Sequence, residues 1–590
     1  MKTIPLKRLF DLPYRQLELF PNLKMLNTKI NGTWKNITSQ QFIDLVNEVS
    51  RGLIAYGVKP GEKIGLISEN RLEWNVIDMA IQQVGGVVVA IYPNISDVDY
   101  QYIFSDADIK LCFVSTEELY KRIETLKPNL PSLAHLFMIN DHEEYLNYTL
   151  LSRAGDAIEQ KTVELVKESV QEDDLATLIY TSGTTGTPKG VMLTHKNILS
   201  NAIAADRPTP TKAYDKSLTF LPSCHAYERM IQYLYMYKGM EVYYAESMDA
   251  IGENIKEVQP DMISAVPRLL EKVYEKIMAK GNELTGFKRK LFFWAVSIGE
   301  QYDPNPVNRD FFYDIKYAIA HKLVLSKWKE GLGGNLGAVC SGSAALNQRL
   351  MRLYFAAKVN VYEGYGLTEA SPLISVNSYQ DGVLIGSVGP AIPGVEFKLA
   401  DDGEIMVKGP NVMKGYYNNP EATAEILKDG WLLTGDIGEI VDGKYLKIVD
   451  RKKEMFKTSG GKYVVPAQIE SKMVESDFIE QFMVVGEGEK FPGALVVPSY
   501  QNLLSWANIN AKDIVNLSKD EFLKSEVIIK KIQHEIENGN KNFGNWETIK
   551  KFEIIVNEFS IDGGELTPTL KLKRKVIAKK YETEIANIYK

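Results

Sequence analysis

Strand and helix signals alternate along roughly the first 450 residues of the chain, and this alternation limits the fold more than any other feature. After the capping pair Thr38 and Gln41, apolar residues recur at helical spacing, and 64–68 then reads as a strand. A second helix over 74–84 ends at a glycine pair, and the apolar run 87–92 follows it. This order predicts right-handed crossovers and largely parallel sheets, so the expected fold class is α/β.

The character of the sequence changes after Asp450. Residues 451–590 are rich in lysine and in short strand signals, with one helix capped by Ser518 and Glu521 and another over about 575–589. We therefore expect an N-terminal domain over 1–449 and a smaller α+β domain over 450–590, joined at Asp450. A chain of 590 residues is too long for one hydrophobic core, which agrees with two domains.

Composition excludes several classes of protein. The net charge of −7 argues against a general nucleic-acid binder. No apolar run approaches the ~18 residues of a membrane span, and the N-terminus lacks the apolar stretch of a signal peptide. Cys112, Cys224 and Cys340 are far apart and suit reduced thiols, so we expect a cytoplasmic protein. The histidines form no cluster with cysteines or carboxylates, which disfavours a structural metal site.

Residues 181–190 read Thr-Ser-Gly-Thr-Thr-Gly-Thr-Pro-Lys-Gly, after a strand signal at 175–180 and before 191–195, which reads as the approach to a helix. Glycines let backbone N–H groups approach an anion, hydroxyls add donors, and Lys189 adds a charge, so the loop predicts a polyphosphate site. It is not a Walker A loop, because Pro188 separates the lysine from the preceding glycine. The alternative is a turn without ligand between a strand and a helix. The predicted ligands are Thr181, Ser182, Gly183, Thr184, Thr185, Gly186 and Lys189.

Two further motifs carry polar chemistry. In Tyr-Glu-Gly-Tyr-Gly-Leu-Thr-Glu at 362–369, Tyr365 offers a face for purine stacking, Thr368 a hydroxyl, and Glu369 a hard oxygen for Mg²⁺. A buried tyrosine and a surface glutamate are the plainer interpretation. The segment 431–436 ends in Asp436, and a carboxylate at a loop end accepts two ribose hydroxyls.

In this order the motifs resemble those of adenylate-forming enzymes, which include acyl-CoA synthetases, peptide-synthetase adenylation domains and luciferases. The resemblance implies a large N-terminal domain of stacked sheets and helices, a layered α/β sandwich with a small β-barrel-like part, and a small mobile α+β C-terminal domain. It implies that Thr184 and Glu369 hold Mg²⁺ and that Arg451 reaches the same ribose as Asp436. The other implied contacts to ATP or AMP are Ser341, Gly342, Ser343, Tyr362, Glu363, Gly364, Tyr365, Gly366, Thr368, Ile448 and Lys457.

The C-terminal run Leu-Thr-Pro-Thr-Leu-Lys-Leu-Lys-Arg at 566–574 resembles the last family motif. The alignment makes Lys571 the catalytic lysine, with Lys573 as the alternative register. The resemblance implies a hinge at Asp450 between two reaction steps, after which Gly460 and Gly461 face the pantetheine arm of CoA. A solvated basic surface is the plainer interpretation of the run.

The segment 221–229, Leu-Pro-Ser-Cys-His-Ala-Tyr-Glu-Arg, resembles long-chain fatty acyl-CoA synthetases, as do 266–274 and 386–394. The chain lacks the Phe-Asp of peptide synthetases, which disfavours an amino-acid substrate. The resemblance implies a catalytic His225 beside the carboxylate and Arg229 near the mouth of a tunnel. The implied reaction converts a long-chain fatty acid and ATP to acyl-AMP and pyrophosphate, then transfers the acyl group to CoA.

Other functions stay open at this level. The acceptor thiol can belong to a carrier protein, or the acid can be medium-chain or aryl. A non-catalytic nucleotide-binding scaffold is a third alternative, disfavoured because no assignable catalytic position holds an inert residue. Long-chain acids partition into bilayers, so we also expect loose contact with the inner face of the membrane. The oligomeric state stays open, a homodimer included.

Overall fold

The computed structural model describes residues 6–182, 187–560, 563–567 and 571–590. The chain forms two compact units. The first unit comprises Met1–Lys398, Met406–Thr434 and Ile440–Leu446, and the second comprises Leu399–Ile405, Gly435–Glu439 and Lys447–Lys590.

The strands follow in chain order. They are β1 (Leu26–Ile30), β2 (Thr33–Ile37), β3 (Lys63–Ile67), β4 (Val87–Ile91), β5 (Leu111–Val114), β6 (His135–Met138), β7 (Leu175–Ser182), β8 (Pro188–Thr194), β9 (Lys216–Thr219), β10 (Glu241–Tyr244), β11 (Met262–Ala265), β12 (Ala338–Ser341), β13 (Asn360–Gly366), β14 (Leu373–Val376), β15 (Glu396–Leu399), β16 (Glu404–Lys408), β17 (Gly415–Tyr416), β18 (Leu427–Lys428), β19 (Trp431–Val441), β20 (Tyr445–Arg451), β21 (Phe456–Lys457), β22 (Tyr463–Val464), β23 (Ile479–Val485), β24 (Gly493–Pro498) and β25 (Lys551–Ile554).

The α-helices are interleaved with these strands. They are α1 (Leu12–Leu19), α2 (Ser39–Ala55), α3 (Leu72–Gln83), α4 (Asp97–Ala107), α5 (Glu117–Leu126), α6 (Tyr148–Ala154), α7 (Gln160–Ser169), α8 (His195–Ala204), α9 (Ala226–Lys238), α10 (Ile251–Val258), α11 (Pro267–Glu283), α12 (Gly286–Gly299), α13 (Phe311–Ala320), α14 (Ser326–Gly331), α15 (Gln348–Ala356), α16 (Pro420–Ile426), α17 (Pro466–Met473), α18 (Tyr500–Asn510), α19 (Lys519–Leu523), α20 (Glu526–Asn540), α21 (Arg574–Lys580) and α22 (Glu582–Ile588).

Two large sheets organise the first unit. One has the order β14-β13-β12-β11-β9-β10-β1-β2, and the other has the order β17-β8-β7-β4-β3-β5-β6. Neighbours such as β3 and β4, β4 and β7, and β11 and β12 are parallel, as the strand–helix alternation predicts. Every residue of β4 is buried, which is typical of a parallel strand covered on both faces. The predicted α/β class is confirmed.

Local signals set several of these elements. The Thr38 hydroxyl accepts a hydrogen bond from the Gln41 backbone N–H, and the Gln41 side chain accepts one from the Thr38 N–H, so the predicted capping box opens α2. The helix then buries Phe42, Val46 and Leu53 along one face. Burial of such a face, more than intrinsic propensity, stabilises a helix of this length.

The second unit holds a smaller α+β core. Strand β24 pairs antiparallel with β23 and parallel with β25, and α17, α18 and α20 contribute buried residues to the core beside them. The predicted capping box of Ser518 and Glu521 is present, but it opens only the short α19. The single helix predicted over 575–589 is wrong. Tyr581, at φ −113° and ψ 32°, leaves the helical conformation between α21 and α22, and its ring packs 5.8 Å from that of Phe559.

Two further observations concern the whole described chain. None of the helices given above combines the length and the apolar character that crossing a bilayer requires. Cys112, Cys224 and Cys340 are all free thiols, and burial raises the pKa of each well above its usual range.

Candidate active site

The glycine- and threonine-rich loop joins two antiparallel strands. Pairing of β7 with β8 runs from Leu175 opposite Thr194 to Ser182 opposite Pro188, and Thr181 lies opposite Lys189. Residues 191–194, expected as an approach to a helix, are instead part of β8, because Val191 and Leu193 alternate into the core. Helix α8 begins only at His195. The predicted phosphate ligands outside the described residues are Gly183, Thr184, Thr185 and Gly186.

Lys189 and Glu369 meet at the side chain of Tyr416. Strand β17 pairs with β8, with Tyr416 opposite Val191. The Lys189 Nζ lies 5.0 Å from the centre of the Tyr416 ring, and the Tyr416 hydroxyl donates a 2.7 Å hydrogen bond to Glu369 Oε1. Burial, and then the Glu369 charge, raise the pKa of Tyr416 above its usual range, so the phenol stays a donor. Sequence reasoning missed Tyr416, because nothing local in the Gly-Tyr-Tyr segment indicates its pairing with β8.

The Glu369 carboxylate fits the ligand preference of Mg²⁺. Magnesium is usually held by one or two carboxylates together with phosphate oxygens of the substrate and water. Glu369 is half-buried, and the hydrogen bond from Tyr416 fixes the orientation of its carboxylate. The second predicted ligand, Thr184, falls outside the described residues.

The 362–369 motif forms the end of β13 and a short 3₁₀ turn, Thr368–Ala370. Tyr362 is buried, and its ring lies 6.0 Å from that of Tyr379 and 6.5 Å from that of Phe355, so it belongs to the aromatic packing around β13. Gly364 and Tyr365, the residue predicted to stack on adenine, are half-buried. At Gly366 a Cβ would lie 2.0 Å from the Pro372 carbonyl oxygen, so only glycine fits there.

Glu363 and the segment Ser341–Ser343 lie at the adjacent ends of β12 and β13, where Ser341 pairs with Glu363. The buried Glu363 carboxylate accepts a 2.8 Å hydrogen bond from the Leu346 N–H, and burial raises its pKa to about 7. The Ser341 hydroxyl is buried and has no hydrogen-bond partner among the described residues. An unsatisfied buried hydroxyl is costly, which is consistent with a ligand that satisfies it.

His225 is the N-cap residue of α9. Its Nδ1 accepts a 3.2 Å hydrogen bond from the Tyr227 N–H, which fixes the ring at the start of the helix. The Tyr227 hydroxyl donates a 2.9 Å hydrogen bond to the Cys340 carbonyl oxygen at the end of β12. The same ring faces Gly342, where a Cβ would lie at 3.5 Å. Two predicted parts of the site, His225 and the 341–343 segment, are therefore brought together through Tyr227.

Glu228 fixes the same helix to the sheet beneath it. Its carboxylate is fully buried and accepts hydrogen bonds from the Ser264 hydroxyl of β11, at 2.5 Å, and from the Thr219 hydroxyl of β9. Burial raises the pKa of Glu228 to about 7. No local pattern in the sequence indicates that this charged residue is buried.

Arg229 does not lie at a surface opening. It is 1% exposed and forms an ion pair with Asp78 of α3, which is fully buried. Its guanidinium also donates to the hydroxyls of Thr177, at 2.6 Å, and Tyr233, at 3.0 Å. The expectation that Arg229 lies near a tunnel mouth is wrong, because Asp78 supplies a buried countercharge from another helix.

Asp436, Arg451 and Lys571 are brought together within the second unit. The Arg451 Nε lies 3.4 Å from Asp436 Oδ1, and the Asp436 carboxylate is buried while the arginine is exposed. The Lys571 side chain is exposed, yet its ammonium interacts electrostatically with Arg451, Asp436 and Glu454. Surrounding protein that displaces water, and then the Arg451 charge, lower the pKa of Lys571.

Hydrogen bonds fix the described residues on both sides of 568–570. The Thr567 N–H donates to the Lys571 carbonyl oxygen at 2.8 Å, and the Lys571 N–H donates to the Thr567 hydroxyl at 3.0 Å. The Lys573 N–H donates to the Glu565 carbonyl oxygen at 2.7 Å. Arg574 then contacts Glu454 at 3.2 Å, which fixes the end of the run.

The predicted hinge residue, Asp450, has a buried carboxylate. It accepts hydrogen bonds from the Arg451 N–H, at 2.6 Å, and from the Ala467 N–H, at 3.1 Å. Burial raises the pKa of Asp450 to about 6. Ile448, two residues earlier on β20, is half-buried.

Gly460 and Gly461 lie in the exposed turn between β21 and β22. Gly461 has φ +74°, a conformation that favours glycine, and its N–H donates to the Thr458 carbonyl oxygen at 2.8 Å. The Lys457 Nζ, next to this turn, lies 4.6 Å from the centre of the Tyr463 ring.

The chain is similar to known proteins over nearly its whole length. Residues 15–417 match the family described as AMP-binding enzyme, and residues 454–590 match the AMP-binding enzyme C-terminal domain.

The long-chain-fatty-acid–CoA ligase FadD15 of Mycobacterium bovis is 32% identical over 573 residues, which cover 96% of this chain and 95% of that protein. Long-chain-fatty-acid–CoA ligase 5 of Rattus norvegicus is 32% identical, over 99% of this chain and 88% of that protein. The crystal structure of the anthranilate CoA ligase AuaEII with anthranoyl-AMP shares the fold, with a TM-score of 0.73 at 20% identity and complete coverage of both chains. The chain belongs to the AMP-binding enzyme family.

Proposed function

We propose that this protein is an AMP-forming long-chain fatty acid–CoA ligase. The observation that carries the proposal is the meeting of Lys189 and Glu369 at Tyr416, because it joins the predicted polyphosphate loop to a carboxylate suited to Mg²⁺. The names of the curated relatives support a long-chain fatty acid as the carboxylate and CoA as the thiol.

In the first step a carboxylate oxygen of the fatty acid attacks the α-phosphorus of ATP. The bond from that phosphorus to the bridging oxygen breaks, and pyrophosphate leaves with the electron pair. Negative charge gathers on the phosphate oxygens, so the site must offer fixed positive groups and donors. Lys571 stabilises the charge that develops at the α-phosphate. Lys189, Thr184 and Thr368 stabilise the negative charge of the phosphates by electrostatic attraction and hydrogen bonds. Bound Mg²⁺ supplies further charge neutralisation, with Glu369 and Thr184 as its protein ligands.

The nucleoside of ATP is held by the other predicted residues. Tyr365 stacks on adenine, the 341–343 segment lines the adenine pocket, and Ser341 contributes its buried hydroxyl. Asp436 and Arg451 bind the ribose hydroxyls, and the 3.4 Å separation between their side chains supports a shared ligand. His225, fixed at the start of α9, faces the carboxylate of the acid.

In the second step the sulfur of CoA attacks the acyl carbonyl carbon of acyl-AMP. The bond to the phosphate oxygen breaks, AMP leaves, and the thiol proton passes to solvent. We assign Asp450 as the hinge of a C-terminal domain over 450–590, and Gly460 and Gly461 as the face that meets the pantetheine arm. The exposed turn at Gly461 supports this assignment.

The site of action is the cytoplasm, with loose contact to the inner face of the membrane, where long-chain acids partition. A carrier-protein thiol is the competing acceptor, since the acyl-AMP chemistry is the same for both.

The test is incubation of the purified protein with MgATP, CoA and fatty acids of increasing length, with acyl-CoA measured by mass spectrometry. Long-chain acyl-CoA together with AMP and pyrophosphate is the expected result. Acyl-AMP without acyl-CoA would contradict CoA as the acceptor and favour a carrier protein. ATP binding without pyrophosphate release for any acid would overturn the enzymatic proposal.

A further inference from the structure

Helix α13 and the π-helical turn that continues it, His321–Leu325, present apolar side chains on two opposite faces. One face is buried. Tyr313 and Tyr317 pack against the core of α12 and α14, with their hydroxyls donating to the carbonyl oxygens of Ile298, at 2.8 Å, and Ala356, at 3.0 Å. These contacts hold α13 against the protein, and its other face takes no part in them.

The other face is exposed, and we call it the α13 stripe: Phe311, Phe312, Ile315, Ile319 and Leu323. The two phenylalanines are 74% and 73% exposed, and the other three side chains are between 45% and 48% exposed. Each residue of a helix turns about 100° around the helix axis. On this basis one arc of about 100° contains four of the five side chains, those of Phe311, Phe312, Ile315 and Ile319. A contiguous exposed apolar surface of this kind marks an interaction site, whereas single exposed apolar residues do not.

The charges around the α13 stripe are mainly positive. Residues 309–330 contain five basic residues, Arg309 and the lysines at 316, 322, 327 and 329, against three acids, Asp310, Asp314 and Glu330. Asp314 is neutralised by Arg309, with Arg309 Nε 2.9 Å from its Oδ1. The four lysines take part in no ion pair among the described residues, so their charge is available to an anionic partner. A helix with an apolar face bordered by lysines is typical of proteins that lie in the headgroup region of a bilayer.

From these observations we infer that the α13 stripe docks onto an anionic lipid bilayer, with its apolar side chains at the acyl boundary and its lysines against the headgroups. The choice of a bilayer as the partner rests on the proposed function, because a long-chain fatty acid is supplied from such a surface. A second copy of this chain fits less well. A symmetric contact of the stripe with itself would bring two sets of lysines together.

The test is flotation of the full-length protein with lipid vesicles, without ATP or CoA. One set of vesicles is neutral phosphatidylcholine, and the other is phosphatidylcholine mixed with the anionic lipid phosphatidylglycerol. Wild-type protein should float with the anionic vesicles and should be released by salt. Phe311→Ala/Phe312→Ala should weaken binding by about tenfold or more, since each buried phenylalanine contributes strongly. Lys316→Glu/Lys322→Glu should weaken it by roughly 20-fold or more, at about fivefold for each lysine lost.

Matched controls separate the stripe from general surface effects. Ile509→Ala removes a single exposed apolar side chain elsewhere, and Lys35→Glu/Lys428→Glu reverses two exposed lysines elsewhere. Both should bind as the wild-type protein does. Circular dichroism checks that each variant is folded, and pyrophosphate release with soluble octanoate, without vesicles, tests the proposed function separately.

Three outcomes would overturn the inference. One is wild-type protein that does not float with anionic vesicles, even where octanoate is activated. The second is equal loss of binding in the stripe variants and the controls. The third concerns a dimer detected by light scattering. If Phe311→Ala/Phe312→Ala dissociated this dimer without changing vesicle binding, the stripe would be an interface between copies.

Discussion

Arg229 Nη1 donates a 2.6 Å hydrogen bond to Thr177 Oγ1, and so connects α9 to strand β7. Each of the two residues lies on an element that also carries part of the candidate site. Thr177 precedes the polyphosphate loop on β7, and His225 opens α9 one helical turn before Arg229. The same guanidinium is paired with Asp78, so one buried charge holds three elements in position.

Arg229→Met should lower the free energy of unfolding by about 3–5 kcal/mol, because it leaves the Asp78 carboxylate buried without a countercharge. Urea denaturation measures the loss. The double variant Asp78→Leu/Arg229→Met should regain most of it, since no unpaired charge remains. Glu526→Gln, which breaks the exposed pair with Lys530, should cost less than about 1 kcal/mol. Similar losses in the buried and exposed single variants would contradict the structural role of Arg229.

Tyr416→Phe should raise the Mg²⁺ concentration that gives half-maximal pyrophosphate release, by about tenfold or more, as expected for loss of a group that orients a metal ligand. The reason is the 2.7 Å hydrogen bond from the Tyr416 hydroxyl to Glu369. A Mg²⁺ titration at saturating ATP measures the shift. Tyr417→Phe is the matched control and should titrate as the wild-type protein does. An unchanged Mg²⁺ dependence of Tyr416→Phe would contradict the role of Tyr416 in orienting Glu369 for the metal.

Lys571→Ala should slow adenylation by about 10²–10³-fold, because it removes one donor directed at charge that develops in the transition state. Thioester formation from supplied acyl-AMP should survive, since the lysine serves only the first step. Pyrophosphate exchange and acyl-CoA formation measure the two half-reactions. Lys573→Ala is the matched control with a near-normal rate. A larger defect in Lys573→Ala would move the motif to the other register, and equal loss of both half-reactions would contradict the hinge.

Glu228→Gln should change how stability depends on pH. Burial raises the pKa of Glu228 from 4.5 to about 7, so the folded protein holds a proton there that the unfolded chain releases. The stability from this group is fully present below pH 4.5 and is lost as the pH rises through about 7, a change of about 3 kcal/mol. Glutamine cannot ionise, so the fall in unfolding free energy between pH 5 and pH 8 should be smaller in the variant. Glu118→Gln, at an exposed position of α5, should retain the wild-type slope. A Glu228→Gln slope equal to that of the wild-type protein would contradict the assignment.

Chain length should govern the specificity constant. Burial of each methylene contributes ~0.8 kcal/mol, or about fourfold in affinity, so kcat/KM should rise from octanoate to palmitate. Steady-state kinetics with acids of even carbon number measure the series. A flat or falling series would favour a shallow pocket for medium-chain or aryl acids.

Local patterns predicted much of the fold. The capping box at Thr38 and the buried strand β4 needed only neighbouring residues, and both are present. The position of Tyr416 beside Glu369 depends on pairing between β8 and β17, which are more than 200 residues apart, so no local pattern could indicate it. The break at Tyr581 likewise depends on packing against Phe559.

The residues of the candidate site also differ in whether local sequence could predict them. Contiguous motifs were enough to predict the loop residue Lys189 and the carboxylate Glu369 as site residues. The proximity of Lys571 to Asp436 and Arg451 could be expected only from family resemblance, since the three positions are scattered along the sequence. Arg229 was misplaced because its burial depends on Asp78, a partner that lies 151 positions away.

The register of β7 with β8 has a consequence for sequence change in this family. Neighbouring residues of a strand point to opposite sides of a sheet, and Lys189 shares its side with Val191 and with Tyr416, which is paired to Val191. One residue inserted between Lys189 and Val191 would leave the apolar ladder in place and turn the ammonium to the other side of the sheet. Two would restore the side but move the ammonium about 6.6 Å along the strand, away from Tyr416. The length of this segment is thus constrained twice, by the side of the sheet and by the distance along the strand, so relatives should vary here by substitution and not by insertion.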